Sequence, residues 1–319
     1  MRPKYENLGS KDTRSGFGAA LLELGEKDER IVALAADLAS SVKMDAFAKR
    51  FPHRFFQCGV AEANMIGVAA GLAGSGFIPF AGTFANFATG RVYDQIRQSV
   101  CYSGKAVKIA ASHAGLTLGE DGATHQMLED IGLMRGLPGI TVISPCDYNQ
   151  TRLATLAAAY WEGPVYLRFG RPAVPNFTPA EDPSFQIGKI QPLLEGKDGV
   201  IFATGHLVWH ALQAAYALEE EGLSIALVNV HTLKPVDVEG IAHYLAQTPI
   251  VITAEEHQMW NGLGDIVSWV ATQHYPRRVI RVAVQDTFGE SGKPDELLEK
   301  YGLSTAHIIA AIQRALEKA

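Results

Sequence analysis

Three glycine-rich clusters hold the side chains of this sequence that could do chemistry. The first, HAGLTLGEDGATHQ from His113 to Gln126, sets two histidines and the acid pair Glu120-Asp121 among glycines 115, 119 and 122. Imidazoles next to carboxylates suit general acid–base work near neutral pH, and glycines let a backbone approach a ligand closely. The plain alternative is an exposed glycine-rich loop with incidental histidines. The second, CGVAEANMIGVAAGLAGSG from Cys58 to Gly76, places the acid Glu62 at the head of an otherwise uncharged run. A carboxylate there either does chemistry or only complements a helix N-terminus. The third, GTFANFATGRVYDQIRQ from Gly82 to Gln98, spaces Phe84 and Phe87 three apart, a pair that by default packs in a core.

The common signatures are absent. Gly292-Lys293 is followed by Pro294 and lacks the leading glycine of a phosphate-binding P-loop. No Gly-x-Gly-x-x-Gly follows a strand at a helix start, so dinucleotide binding has no support. Gly-x-Ser-x-Gly, His-Glu-x-x-His and paired Cys-x-x-Cys do not occur, which removes the usual hydrolase and zinc readings.

The elements that must position these clusters alternate between strand and helix. Helical spacing runs from Ser15 to Leu24, and RIVALAA ends a short apolar run just before Asp37. VKIAA at Val107, ITVIS at Ile140 and VYLRF at Val165 read as strands, with a helix over Tyr148 to Tyr160 that Asp147 is placed to cap. The pattern restarts at VIFATG (Val200), SIALVNV (Ser224), IVITAEE (Ile250) and VIRVAV (Val279), again with helices between and a last helix from Thr305. Such alternation predicts an α/β chain with two domains, each a mostly parallel sheet flanked by helices. Arg171 to Pro192 carries five prolines and reads as interdomain connection. The expected division is a first domain over 1–175, a linker over 176–196 and a second domain over 197–319. The first cluster directly follows the strand VKIAA, where α/β proteins build their sites.

Composition narrows the function classes. The 319 residues are 47% hydrophobic and 19% charged with net charge −6, which fits a folded globular chain and disfavours a basic nucleic-acid face. The uncharged stretch Asn64 to Gly90 is long enough to suggest a membrane span. It is broken by Gly74-Ser75-Gly76 and Pro79, so it reads instead as a helix, a turn and a strand, all buried, with a subunit interface as the cover. Three scattered cysteines fit free thiols in a reducing cytoplasm, and the N-terminus lacks the apolar core of a signal peptide.

Taken in order, GVAEANM, GTFANF, GEDGATHQ and RFGRP resemble the C-terminal half of transketolase, a thiamine diphosphate enzyme, and EEHQMWNGLGD and DTFGESGKPDELLEKYGL resemble its third domain. The resemblance covers nearly the whole chain. It implies a pyrimidine-binding thiamine diphosphate domain followed by a transketolase C-terminal domain. Glu62 matches the glutamate that hydrogen-bonds the cofactor's pyrimidine ring and favours the tautomer able to act as a base; burial raises a carboxyl pKa and helps such a group share a proton. Phe84 and Phe87 match aromatics around that ring. The third family aromatic falls on Gly90 here, with Tyr93 nearby but out of register. Asp37 matches an aspartate near the thiazolium. Arg14, Ser41 and Arg171 match residues that hold a substrate phosphate, a task suited to the planar guanidinium fork. His113 would assist at that phosphate, Asp121 would bind a sugar hydroxyl, and His125 would hydrogen-bond the reacting oxygen and transfer a proton. Arg168 is expected in an ordinary salt bridge. The histidines at 53, 206, 210, 231, 243, 257, 274 and 307 are read as structural.

The family holds Mg2+ and the cofactor diphosphate with Gly-Asp-Gly and a downstream Asn. No Gly-Asp-Gly occurs here. The resemblance therefore implies the C-terminal subunit of a split transketolase, with the metal and diphosphate site on an N-terminal partner chain and two such pairs forming a heterotetramer. It would move a two-carbon ketol unit between sugar phosphates. Relatives acting on apiose- or sulfosugar-derived ketoses, a 1-deoxy-D-xylulose-5-phosphate synthase, a 2-oxo acid dehydrogenase beta subunit and a degenerate structural half are the competing readings.

Overall fold

The computed structural model describes residues 4–317; residues 1–3 and 318–319, the outer ends of the two expected domains, lie outside the described residues. From β1 (Ser10–Asp12) the chain enters α1 (Thr13–Lys27), whose start is capped by the Asp12 carboxylate accepting from the Ser15 N–H at 3.0 Å. Next come β2 (Ile31–Ala35), α2 (Asp45–Arg50), β3 (Phe55–Gln57), α3 (Glu62–Gly74) and β4 (Ile78–Phe84). Then α4 (Ala85–Thr89), the single turn α5 (Tyr93–Gln95), a π-helical stretch at Ile96–Tyr102 and β5 (Lys108–Ser112) lead to α6 (Asp130–Arg135) and β6 (Thr141–Ile143). α7 (Tyr148–Tyr160), β7 (Val165–Arg168) and β8 (Ala173–Pro175) complete the first half. Asp147 caps α7 through the Gln150 N–H at 2.9 Å, and its other oxygen accepts from the N–H groups of Phe177 and Thr178, tying the helix start to the chain's exit.

The second half runs through β9 (Gln191–Leu194), β10 (Gly199–Ala203), α8 (Leu207–Glu220), β11 (Ile225–Asn229), β12 (Thr232–Lys234) and α9 (Val238–Gln247). β13 (Val251–Gln258), α10 (Leu263–His274), β14 (Val279–Val284), α11 (Pro294–Lys300) and α12 (Thr305–Leu316) follow. Two large sheets result. Strands of the first lie in the order β12-β6-β7-β5-β4-β2-β3 and those of the second in the order β14-β13-β10-β11-β9. All pairs are parallel except β12 on β6 and β9 on β11 at the edges. β2, β5, β10 and β11 are buried along their whole length, as parallel strands covered by helices on both faces must be. The expected two-domain α/β architecture is what forms.

Three details go beyond the expectation. Residues 191–194, inside the stretch read as connection, form the edge strand β9; Pro192 is tolerated because an edge position needs no donor on its outer side. β12 comes from the second half yet extends the sheet of the first, and one apolar core runs from Leu34, Ile66 and Ile109 to Phe202, Val228 and Leu263. The halves are thereby joined through a shared interior. The third concerns α3, which the described residues bury on one side only. Glu62, Met65, Ile66, Ala69 and Ala70 face the core at helical spacing, while Ala63, Asn64, Gly67, Val68 and Gly71 are exposed. None of the described residues covers that small-residue face. Among the described residues no helix is long and apolar enough to cross a membrane.

Candidate active site

Because β2, β3, β4, β5 and β7 point the same way, the segments that leave them open at one edge of the first sheet. Asp37 and Ser41 follow β2, Glu62 follows β3, Phe84 ends β4, His113 follows β5 and Arg171 follows β7. Arg14 joins them from the first turn of α1. Asp37 and His113 both have a φ near 61°, which is uncommon outside glycine and concentrates at functional edges.

Arg14, His113 and Ser41 form one contact group. Arg14 Nη1 donates to the Ser41 carbonyl at 3.0 Å and approaches His113 Nε2 at 3.5 Å, while its Nε is held by Asp12 at 3.2 Å. His113 is 3% exposed, with Nδ1 2.8 Å from Ser112 Oγ and its ring stacked on Phe84 at 3.8 Å between centroids. With an arginine at Nε2, the ring proton belongs on Nδ1, donated to Ser112. Burial first, then Arg14 and Arg171, push the His113 pKa down to about 3, so the imidazole is neutral. Burial also lowers Arg14, with Asp12 opposing and Arg171 reinforcing, yet a guanidinium remains charged. Arg171 donates from Nη1 to the Leu118 carbonyl and to Glu120 Oε2, both at 2.6 Å. Two arginines and a neutral imidazole thus face one space, an arrangement that receives a tetrahedral oxyanion.

The other contact group is a wall. Glu62 is 3% exposed at the first position of α3, and Arg91 Nη1 donates to its Oε1 at 2.8 Å. Arg91 also lies over the Phe87 ring at 4.1 Å. Phe87 stacks beside Phe84 with centroids 6.0 Å apart, and His125 meets Phe87 edge-on at 5.6 Å. A buried acid, two parallel aromatic faces and an imidazole can hold a flat heterocycle by stacking and an edge hydrogen bond. Gly90 ends α4 in ordinary helical geometry, and Arg91, not an aromatic, covers Phe87. Tyr93 lies elsewhere, lining a cavity of about 510 Å³ with His257, Trp260 and Phe288 that includes none of the candidate residues. Asp37 and Asp121 are exposed at the mouth, and His125 Nδ1 is 2.9 Å from Thr124 Oγ1.

Arg168 makes its expected salt bridge, Nε to Asp130 Oδ2 at 2.8 Å, with both side chains buried. Two site residues escaped sequence reasoning. Gln57 Oε1 accepts from Asp37 N–H at 2.7 Å and Gly59 N–H at 3.2 Å, fixing two strand exits together. Arg91 had a signal: it and Glu62 are the charges that bracket the long uncharged stretch, and they find each other.

Comparison with known proteins extends this picture. Residues 9–176 match the family described as "Transketolase, pyrimidine binding domain" and residues 188–308 the one described as "Transketolase, C-terminal domain". The chain is 43% identical over 316 residues to a 6-deoxy-6-sulfo-D-fructose transketolase subunit of Clostridium sp. (strain MSTE9), covering 99% of this chain and 97% of the relative. It is 38% identical over 290 residues to an apulose-4-phosphate transketolase subunit of Phocaeicola vulgatus, covering 91% and 93%. A solved structure described as a split gene transketolase, an inactive beta4 tetramer, aligns with a TM-score of 0.89 at 48% identity, over 96% of this chain and 98% of that one.

Proposed function

Since the chain belongs to the transketolase family and carries both its pyrimidine-binding and its C-terminal domain, we propose that it is one subunit of a two-chain transketolase, active only when a separate N-terminal chain supplies the Mg2+ and diphosphate side of the site. The observation that carries this reading is Glu62, a buried carboxylate at the head of a helix beside the Phe84–Phe87 wall. That donor set fits the pyrimidine end of thiamine diphosphate: an acid for a ring nitrogen and flat faces for the ring. The chemistry thiamine diphosphate brings is a nucleophilic thiazolium carbon able to carry a two-carbon ketol unit.

The chain's own residues take the remaining tasks. Glu62 holds a proton at the pyrimidine edge, Phe84 and Phe87 stack on the ring, and Asp37 stands toward the thiazolium. Arg91 gives up or shares Glu62 as the ring enters, which its 49% exposed side chain permits. Arg14, Ser41, His113 and Arg171 bind and orient the anionic end of a ketose phosphate. Asp121 accepts from a sugar hydroxyl, and His125 hydrogen-bonds the reacting oxygen and moves its proton. The uncovered face of α3 supports an interface, since a small-residue apolar face left to water calls for a partner. Two copies with two partners would make a heterotetramer. The name of one relative, a 6-deoxy-6-sulfo-D-fructose transketolase subunit, favours a second donor class beside the sugar phosphates that the other relative's name implies. A paired-arginine site accepts a sulfonate as it does a phosphate, so sulfosugars belong in the test beside ordinary sugar phosphates.

The test is reconstitution. The purified chain alone should transfer nothing; with a partner chain bearing Gly-Asp-Gly and a downstream Asn it should move a ketol unit from xylulose 5-phosphate, or from a sulfonated ketose, to an aldose phosphate. Full activity of the chain alone, or none from the pair across the donor panel, would overturn the proposal.

A further inference from the structure

Two side chains of the second domain, both buried at the junction of the domains, back the candidate site. Glu256 on β13 is 3% exposed, and its Oε1 accepts the Thr117 N–H at 2.6 Å. Thr117 lies in the loop that carries Asp121 and His125. That loop is closed at its base by Gly115 N–H donating to the Met127 carbonyl at 2.9 Å. Gly115 has a φ of 89°, and a Cβ there would run into the Glu256 carboxylate, so the acid is seated directly on the loop backbone. Glu256 is itself anchored, because Arg168 Nη2 donates to its carbonyl at 2.9 Å while Arg168 is held by Asp130. Further along, Gln126 Nε2 donates to the carbonyls of Leu116 at 3.0 Å and Glu290 at 2.9 Å, and a Cβ on Gly122 would lie 2.7 Å from Ser291 Oγ.

The other is His206, just before α8. Its Nε2 is 3.3 Å from Thr13 Oγ1, and Thr13 Oγ1 is 3.3 Å from the Gly170 carbonyl. The three groups form one chain: His206 Nε2–H donates to Thr13, and the Thr13 hydroxyl donates to Gly170. A Cβ on Gly170 would collide with the His206 ring. Thr13 and Gly170 immediately precede Arg14 and Arg171 in sequence. One imidazole of the second domain therefore backs both arginine-bearing segments of the first.

Neither side chain is placed to touch a ligand, and burying a carboxylate or an imidazole at a domain junction costs more than apolar packing would. We propose that Glu256 and His206 are positioning residues: Glu256 fixes the loop that carries Asp121 and His125, and His206 fixes the spacing of Arg14 and Arg171. The second domain is then the jig on which the substrate side of the site is assembled. This rests on the reading of those four residues as substrate contacts.

Four variants of the full chain test it. Glu256→Ala removes the acceptor and Glu256→Gln keeps one; His206→Ala removes the donor and His206→Gln keeps an N–H near the Nε2 position. Hydrogen exchange of the chain should show residues 113–126 exchanging about tenfold faster in Glu256→Ala, and residues 13–15 and 169–172 likewise in His206→Ala, with the glutamine variants near wild type. Should Glu256→Ala not fold, Glu256→Asp, one methylene shorter, is expected to give the same local change. In the reconstituted pair, His206→Ala should raise KM for an anionic donor about tenfold with kcat held, while Glu256→Ala should lower kcat about tenfold with that KM held. Faster exchange spread over every segment, no change in the named segments, or equal losses in both kinetic constants for both variants would overturn the proposal. If the wild-type pair ignores anionic ketoses, the substrate reading fails while the exchange result still decides the positioning.

Discussion

A side chain added to Gly67 or Gly71 on α3 would meet nothing within 4 Å, whereas one added to Gly115 would strike the Glu256 carboxylate and one added to Gly122 would crowd Ser291. Both stretches are glycine-rich, for different physical reasons. In the loop, glycine lets the chain's own second domain press against the backbone. On α3, glycine leaves a flat, small-residue surface that none of the described residues covers. The two buried acids differ in the same way. Glu62 at the head of α3 is paired with a half-exposed Arg91, while Glu256 under the loop is enclosed by the protein. Under the proposed function, the substrate side of the site is finished within this chain and the cofactor side is left open.

The largest effect belongs to the open side. Glu62→Ala should reduce turnover of the reconstituted pair by about three orders of magnitude, the middle of the range for a positioned acid–base group. The unfolding midpoint of the chain should hardly move, because Arg91 can turn to water when its partner is lost. Steady-state rates and circular dichroism check the two halves; retention of more than about a tenth of turnover would remove Glu62 from the mechanism.

The next pair tests the glycines directly. Gly67→Trp should leave folding unchanged within about 0.5 kcal/mol yet weaken association with the partner chain at least about a hundredfold, read by light scattering or titration. Gly115→Ala should do the reverse: about 2–3 kcal/mol lost in urea unfolding, from a positive φ and a clash with a buried carboxylate, with association kept. If Gly67→Trp unfolds the chain more readily than Gly115→Ala, the contrast between the regions is wrong.

Much of this was legible beforehand, and the exceptions share a cause. Asp147 before a periodic stretch marked α7, and a polar cluster directly after VKIAA marked the loop that follows β5, because both signals are local in sequence. Gln57 and Glu256 gave no such sign, and the one that Arg91 gave, closing the uncharged stretch that Glu62 opens, does not say that the two side chains meet. Arg91 acquires its meaning only when α4 and α5 carry it to Glu62, 29 residues earlier in sequence. Glu256 sits in IVITAEEHQ, which reads as a strand with a charged end, and only the docking of β13 against the first domain brings it under Thr117. For α3, composition read apolar on every side with a subunit interface as the cover; among the described residues one face is indeed left bare, but which residues lie on it appears only once the helix is packed. β9 was hidden by Pro192, a strand breaker everywhere except at an edge.

A smaller effect separates the closed region from the open one by pH. Burial lowers His113 and His206 from the ordinary value near 6.5 to about 3. The unfolded chain takes up these protons below about pH 6.5 and the folded chain does not, so stability present above pH 6.5 is lost as pH falls toward 3. The slope is about 1.4 kcal/mol per pH unit for each histidine. Glu256, raised by burial, works in the opposite direction, since its folded form takes up a proton more readily than its unfolded form. The loss of unfolding free energy between pH 7 and pH 5, read from urea titrations, should therefore be about 2 kcal/mol smaller in His206→Gln than in wild type. An identical fall in both would show that His206 is charged in the folded protein.

The smallest effect contrasts two acids that hold one loop from opposite sides. Glu256 grips it from beneath and is enclosed; Glu120 lies on the solvent side and pairs with Arg171 at 2.6 Å, their side chains 62% and 39% exposed. An exposed pair of this kind is screened by salt and easily exchanged for another anion. Arg171 keeps its second bond, to the Leu118 carbonyl, whether or not Glu120 is charged, so its direction does not depend on the acid. If Arg171 receives the anionic end of the donor as proposed, Glu120 is a competitor for its guanidinium that the incoming phosphate or sulfonate must displace. Glu120→Gln should lower KM for an anionic donor about two- to threefold, with kcat and the unfolding midpoint unchanged, and the difference should shrink as salt is raised. A rise in KM would mean that Glu120 aims Arg171, and that the loop is built from both sides and not from the second domain alone.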